Sequence, residues 1–395
     1  MRMRMRMRMR MRTTVVAVVA AAFSAVLAAP AVAAPPDPGA GTGDAVGTGD
    51  HRATRQAMQA AVDAGVPGVT ATARDRKGTW SATAGVGDLR TGQERSPHDR
   101  YRVGSVTKTF VATVLLQLEA EGRLSLDDTV DTWLPGLVTG NGHDGTRITL
   151  RQLLNHTSGI FDYTSGEEYS RAYSTKEGFF EHRYDTRTPG ELVRMALAHE
   201  PYFEPGASWS YSNTNYVLAA LVIEEATGSP YGEEVRRRVI EPLHLTATSV
   251  PGTRVSLPRP SSRAYSKLDS TATGPTHDVT RINPSRAFSA GEMISDSKDL
   301  NRFYRALLTG RLLPPEQLDE MTTTVPTGTG ADYGLGLMRI PLSCGTTVWG
   351  HSGSISGSRT GAGTTQDGRH SLAFNFNADW AGNALAVMDA EFCGD

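Results

Sequence analysis

Ser105-Val-Thr-Lys108 follows Gly104 and opens an apolar-periodic run from Val106 to Leu118, so a hydroxyl and an amine sit one helical turn apart at a helix start. A serine hydroxyl is a poor nucleophile near neutral pH and needs a proton acceptor within hydrogen-bond reach. An exposed lysine, with a pKa of about 10.4, stays protonated and cannot serve, so Lys108 has to be desolvated or held against other donors to act as the base. The chain carries 40 basic residues, and only Lys77, Lys108, Lys176, Lys267 and Lys298 among them are lysines. A lysine kept amid such arginine bias points to an amine that must give up its proton, which a guanidinium does not do. Ser295-Asp-Ser-Lys298 repeats the spacing beside a polar stretch leading into another helix, and reads as cap and turn chemistry.

Two later segments supply the remaining groups of an acyl transfer. Tyr211 and Asn213 place a phenol and an amide in a loop before an apolar helix. The phenol can carry a proton between nucleophile and leaving group, and the amide can orient a substrate carbonyl. His351-Ser352-Gly353-Ser354 follows the apolar run Thr346–Trp349. An extended edge there offers a backbone N–H to an oxyanion, Gly353 allows close approach of substrate backbone, and the hydroxyls of Ser352 and Ser354 can donate to a carboxylate. The second oxyanion donor is expected at the N–H of Ser105. Taken singly, each motif also fits a blander role: a surface lysine, a helix cap, a Gly/Ser turn with a solvated histidine. His156, in Asn155-His-Thr-Ser-Gly159, is read as a polar brace after a short helix and kept out of the catalytic set. Gly-x-Ser-x-Gly occurs nowhere in the chain, which argues against a strand-to-helix nucleophile elbow.

The elements that must position these groups follow from periodicity. A helix is expected over Arg52–Ala64, then two alternating runs, Val69–Arg74 and Trp80–Val86, joined as a hairpin. From Ser105 to about Arg281 the pattern is mainly helical: Val106–Ala120, Leu150–Leu154, Glu191–His199, Thr214–Ala226 and Tyr231–Ile240, with Leu300–Leu308 beyond. Strands return at Tyr333–Arg339, Thr346–Trp349, Gly361–Thr365 and Ser371–Asn377, before a helix over Ala384–Phe392. Strands at both ends around a helical middle predict an α+β fold. One antiparallel sheet of five or more strands is flanked by the N- and C-terminal helices, and a mainly helical lobe is inserted into it. The boundaries are a sheet lobe over 51–103 and 285–395 and a helical lobe over 104–284, with the site at their seam.

Residues 1–33 combine six arginines alternating with methionine, an apolar stretch from Val15 to Ala29 and a small-residue site at Ala31-Val-Ala33, the pattern of a secretory signal peptide cut near Ala33 or Ala34. The apolar stretch falls short of the roughly 18 residues that span a bilayer, so no stable membrane anchor is expected. Residues 34–50 lack bulky apolar side chains and read as a disordered linker. Losing the six arginines of 1–33 moves the formal charge from −2 to −8, and a mildly acidic chain without a basic stripe gives no reason to expect a nucleic-acid partner. No Cys or His cluster has metal-ligand spacing, so neither metal nor other cofactor is expected. Cys344 and Cys393 are the only cysteines; they form either a bridge or two free thiols. No coiled coil or repeat is visible, and a monomer is the default.

The segments GSVTK, LLNHTSGI, PGASWSYSNTNYVLAALVIEEATG, SAGEMISDSKDL, YGLGL and GHSG, in this order, resemble those of the penicillin-recognising serine hydrolases. That group holds D-alanyl-D-alanine carboxypeptidases, class C β-lactamases and related esterases and D-amino-acid peptidases. With His351 where many members carry lysine, and with the contexts of Cys344 and Cys393, the chain looks most like the secreted soluble carboxypeptidases. The resemblance implies an acyl-enzyme on Ser105, proton handling by Lys108 and Tyr211, Asn213 and His351 lining the cleft, and a Cys344–Cys393 bridge. It further implies a D-alanyl-D-alanine carboxypeptidase or D-peptidase that takes small peptides or peptidoglycan stems and is inhibited by β-lactams. Other readings on the same machinery are a serine esterase or amidase, a β-lactamase and a silent binding module. In the carboxypeptidases an arginine on the strand after the YGLGL segment helps hold the terminal carboxylate. Met338 is expected at that place here, with Arg339 turned to the opposite face.

Overall fold

The computed structural model describes residues 51–269 and 272–394, all within the unit Pro38–Asp395. The expected signal peptide and linker, residues 1–50, lie outside the described residues.

Helix α1 (Arg52–Asp63) leads into strands β1 (Gly68–Arg74), β2 (Thr79–Asp88) and β3 (Gln93–Glu94). The rest of the main sheet comes from the C-terminal part: β4 (Val325–Pro326), β5 (Asp332–Tyr333), β6 (Met338–Pro341), β7 (Thr347–Ile355), β8 (Ser358–Thr365) and β9 (Ser371–Phe376). The nine strands lie in the order β4-β5-β6-β7-β8-β9-β1-β2-β3, all antiparallel, so the pairing of β9 with β1 welds the two ends of the chain together. Along β9 the alternation is read directly. Leu372, Phe374 and Phe376 join an outer core with Met58 of α1 and with Val387 and Met388 of helix α5 (Ala384–Cys393), while Ala373 faces the inner core.

The inner face is covered by helix α4 (Ser297–Leu308), which inserts Leu300, Phe303, Tyr304 and Leu307, and beyond it stand α2 (Thr107–Ala120) and α3 (Asn213–Thr227). Both α2 and α3 are apolar on nearly every side, as helices enclosed by protein must be. Among the described residues no helix is long and apolar enough to cross a membrane.

Several elements differ from the sequence expectation. The run Tyr333–Arg339 is not one strand: Gly334 N–H donates to Leu337 O at 2.7 Å and Gly336 takes a φ of +68°, so a tight turn separates β5 from β6. Thr109 of α2 donates to the Gly336 carbonyl at 2.7 Å, which fixes that turn against the helix carrying Lys108. Strand β7 runs past the expected end at Trp349 to Ile355, so His351–Ser354 lies on an extended strand, as read, and the turn alternative falls. The helix expected over Tyr231–Ile240 is α-helical to Val235 and then widens into a π-helical stretch, Arg236–Ile240. Helices Glu167–Tyr173, Lys176–His182 and Pro315–Thr322 were not marked by periodicity, being only two turns long. Cys344 and Cys393 are bonded (S–S 2.04 Å), joining the β6–β7 turn to the end of α5 and closing the free-thiol alternative.

Candidate active site

The chain enters α2 through one 3-10 turn, Gly104–Val106, pressed against the open end of β7. Gly104 has φ +55°, and a Cβ there would lie 2.6 Å from Ser354 N. A Cβ on Gly353 would lie 1.9 Å from Val103 O and 2.8 Å from Ser105 N. The glycine expected to admit substrate backbone therefore admits the protein's own: it lets the helix start sit flush on the strand.

Strand parity then aims two N–H groups at one place. The two-residue turn Ser356-Gly357 makes Ile355↔Ser358 a doubly hydrogen-bonded pair, so Gly353↔Thr360 and His351↔Ala362 also bond toward β8. Ser352 and Ser354 consequently direct their backbone groups to the other edge, which β6 covers only as far as Gly350. The Ser354 N–H thus points out of an unpaired edge beside Gly104, next to the Ser105 N–H at the start of the helix. Two such donors suit an oxyanion.

Lys108 has no exposed surface. Its Nζ lies 3.1 Å from Ser105 Oγ and donates to Asn213 Oδ1 and to the Ala290 carbonyl, each at 2.7 Å. Burial drives its pKa down to about 7, against a smaller opposing pull from Asp162. Asn213 is fixed at both ends, since its Nδ2 donates to Asp162 Oδ2 at 3.0 Å and to Thr164 Oγ1 at 3.2 Å. In this state the amide orients the lysine; its N–H groups are not turned to a substrate carbonyl. Tyr211 lies beside Ser105, and burial raises its pKa, which keeps the phenol protonated. Its ring lies beneath Lys108 Nζ at 4.8 Å from the ring centre.

His351 is 2% exposed, with Nδ1 against the Ser352 carbonyl and Nε2 2.9 Å from the Tyr333 hydroxyl. Burial, with Lys108 nearby, lowers its pKa to about 3, so the imidazole is neutral. His156 does more than brace a turn. It is fully buried with φ +64°, accepts at Nδ1 from Ser212 N and Asn215 Nδ2, both at 3.2 Å, and packs its ring 4.2 Å from that of Tyr211.

Met338 does not occupy an anion site. It packs with Ile340 and Val348 in the outer core, whereas Arg339 is paired in register with Trp349 of the inner core, on the face that carries His351. Arg339 is tied to Asp332 at 3.3 Å. The second motif-like lysine, Lys298, is exposed, and Asp296 caps α4 by accepting from Asp299 N.

A cavity of about 620 Å³ is lined by Ser105, Asn213 and Ser354, with Tyr163, Tyr169, Tyr173 and Trp380 as aromatic walls and Lys267, Asp269, Arg286 and Asp379 as charged ones. Ser354 is exposed to it, Ser352 is half-buried, and Lys108 lies beneath its surface. Sequence reasoning missed the Ala290 carbonyl, Asp162, Tyr333 and Arg286. The SAGEM segment around Ala290 and the YGLGL segment that opens at Tyr333 carried a signal, as motifs without a role.

Comparison with known proteins gives a consistent picture. A family model described as Beta-lactamase matches residues 52–386. Among solved structures the chain is similar to a D-stereospecific amidohydrolase from Streptomyces sp., at 60% identity and TM-score 0.84, over 88% of this chain and 100% of that one. It is also similar to a D-amino acid amidase from Ochrobactrum anthropi SV3, at 27% identity and TM-score 0.74, over 86% of this chain and 98% of that one. Among curated proteins it is similar to the putative penicillin-binding protein PbpX of Bacillus subtilis (strain 168), 27% identical over 259 residues, 66% of this chain and 58% of that one. The chain spans about half the length of the curated relatives it matches.

Proposed function

The chain belongs to the beta-lactamase family of serine hydrolases, which includes penicillin-binding relatives, and from that premise we propose that it hydrolyses amide bonds of D-amino-acid amides and peptides through an acyl-enzyme on Ser105. The observation that carries this reading is the buried Lys108 amine 3.1 Å from Ser105 Oγ, with a pKa near neutrality. The neutral amine takes the Ser105 proton as Oγ attacks the carbonyl carbon. The oxyanion settles between the N–H groups of Ser105 and Ser354, where each donor is worth about a hundredfold or more in rate. Tyr211, held protonated, hands a proton to the leaving amine and takes back the one that Lys108 received from Ser105. Water, deprotonated along the same path, then releases the acyl group as a free acid.

Preference for an amide over a free C-terminus follows from the anion site that is missing on the strand. His351 is neutral, Met338 faces the outer core and Arg339 is paired with Asp332. The D-alanyl-D-alanine carboxypeptidase reading keeps one specific support, since Arg286 is a permanent cation lining the cleft. We place the enzyme outside the cell, cut near Ala33 or Ala34, a reading the Cys344–Cys393 bond favours. Acylation by β-lactams belongs to the same proposal.

The test is release of ammonia from D- and L-amino-acid amides beside release of D-alanine from an N-acyl peptide ending in D-Ala-D-Ala, with Ser105→Ala as control. Faster turnover of the D-amides supports the amidase. D-alanine release as the dominant reaction replaces it with the carboxypeptidase, and activity surviving in Ser105→Ala moves the nucleophile elsewhere.

A further inference from the structure

A second cavity, of about 480 Å³, shares no lining residue with the cleft. It is bounded by α4, the end of β1, the start of β2 and the segment Pro242–His244. Five basic side chains line it, Arg74, Lys298, Arg302, Arg305 and Arg311, with His244 beside them and no aspartate or glutamate. In a chain of net formal charge −2 that concentration does not follow from composition.

The cations are also unpaired. Elsewhere arginines are matched with carboxylates, as in Arg95 with Asp99, Arg151 with Glu320 and Arg238 with Glu121. None of the five has an ion pair among the described residues. The nearby carboxylates are turned to other work on the same helix. Asp296 caps it and Asp299 accepts from Ala247 N and Thr248, so they offset Lys298 and Arg302 only at longer range. Lys298, Arg302 and Arg305 fall at i, i+4 and i+7 of α4 and so share one face. Two of the side chains are held in place: Arg302 Nη1 donates to Leu243 O at 3.1 Å and His244 O at 3.0 Å, and Arg305 Nε donates to Gly368 O at 2.7 Å. Arg305 is also pressed by its neighbour, since burial and the Arg74 charge both disfavour its protonated form.

A concave site with five like charges and no counterion is relieved by a multiply charged anion, and guanidinium forks match the oxygens of phosphoryl groups better than those of a lone carboxylate. The volume lies in the range of small-molecule sites. We propose that this cavity binds an anion carrying two or more phosphoryl groups, held by Arg74, Lys298, Arg302, Arg305 and Arg311.

The test is calorimetric titration of the purified chain with tripolyphosphate, orthophosphate and citrate, beside the double variant Arg74→Gln, Arg311→Gln. These two side chains are exposed and carry no hydrogen bond that the fold depends on. The expected result is saturable one-to-one binding of tripolyphosphate that weakens with added salt and falls at least about tenfold in the variant, while amide hydrolysis is unchanged. Absence of saturation in the unmodified chain, or equal binding by the variant, overturns the proposal. Orthophosphate binding as tightly as tripolyphosphate removes the multi-phosphoryl assignment, and citrate binding as tightly removes the phosphate class.

Discussion

Lys108 Nζ lies 3.1 Å from Ser105 Oγ in a setting that offers it two neutral acceptors, Asn213 Oδ1 and the Ala290 carbonyl, and no carboxylate partner. Neutral acceptors hold the amine in place without stabilising its charge as an ion pair does, and burial then lowers its pKa to about 7. An amine so placed is free to accept a proton over the ordinary working range.

The rate should follow that titration. We predict that kcat/KM for an amide substrate rises about tenfold per pH unit below 7 and levels above it, with no descending limb until well above ordinary tyrosine ionisation, because burial keeps Tyr211 protonated. A pH profile carried past the ordinary tyrosine pKa of about 10 checks both the rise and the plateau. Lys108→Arg, which cannot lose its proton, should lose about a thousandfold or more in kcat/KM.

The same shift has a sign in stability. The unfolded chain binds a proton at Lys108 up to pH of about 10.4 while the folded chain releases it above about 7, so between these values the unfolded state holds more protons and stability contributed by this group rises with pH. Lys108→Met removes that contribution. Denaturant midpoints at pH 7 and pH 9 should therefore shift upward less in the variant than in the unmodified chain. Equal shifts in both would show that Lys108 titrates normally.

The side chains singled out from the sequence meet in one place because a short local pattern, serine and lysine one turn apart, already specifies their relative position on a helix. The Ala290 carbonyl carries no such signature: a backbone acceptor is common to every residue, and only the fold decides which one reaches Nζ. Met338 was misplaced for a different reason. The turn Gly334–Leu337 ends one strand and starts another, and an offset of one residue in a strand exchanges its faces. Gly353 was assigned to the right element and the wrong neighbour, since what lies 1.9 Å from its missing Cβ is the Val103 carbonyl.

Gly353→Ala follows from that contact. The added methyl meets backbone that cannot step aside without moving Ser105 N and with it the oxyanion donor. We predict a loss of about a hundredfold in kcat with a smaller effect on KM, the pattern expected when an interaction made in the transition state is removed. General unfolding also lowers the apparent kcat and leaves KM alone, so steady-state kinetics with one D-amide substrate, scaled to the folded fraction measured by circular dichroism, separates the two.

The Cys344–Cys393 bond should matter to stability and not to chemistry. It closes a sequence separation of 49 residues, which in the chain-entropy model is worth roughly 4 kcal/mol of unfolded-state entropy, and it touches no group of the cleft. Cys344→Ser, Cys393→Ser should unfold at lower urea while retaining kcat and KM below its transition. Loss of activity in the fully folded variant would tie α5 to the site.

Met338→Arg tests where the strand faces point. Were Met338 directed into the cleft, arginine there would supply the missing cation and raise the preference for substrates with a free carboxylate. Packed as it is with Ile340 and Val348, the same substitution drives a guanidinium toward the apolar outer core, where burying charge is costly. The expected result is a chain destabilised in urea whose ratio of D-amide to D-Ala-D-Ala turnover is unchanged. A rise in carboxylate preference without loss of stability would mean that β6 presents the opposite face to the cleft, and the case for an amide-preferring enzyme would lose its structural ground.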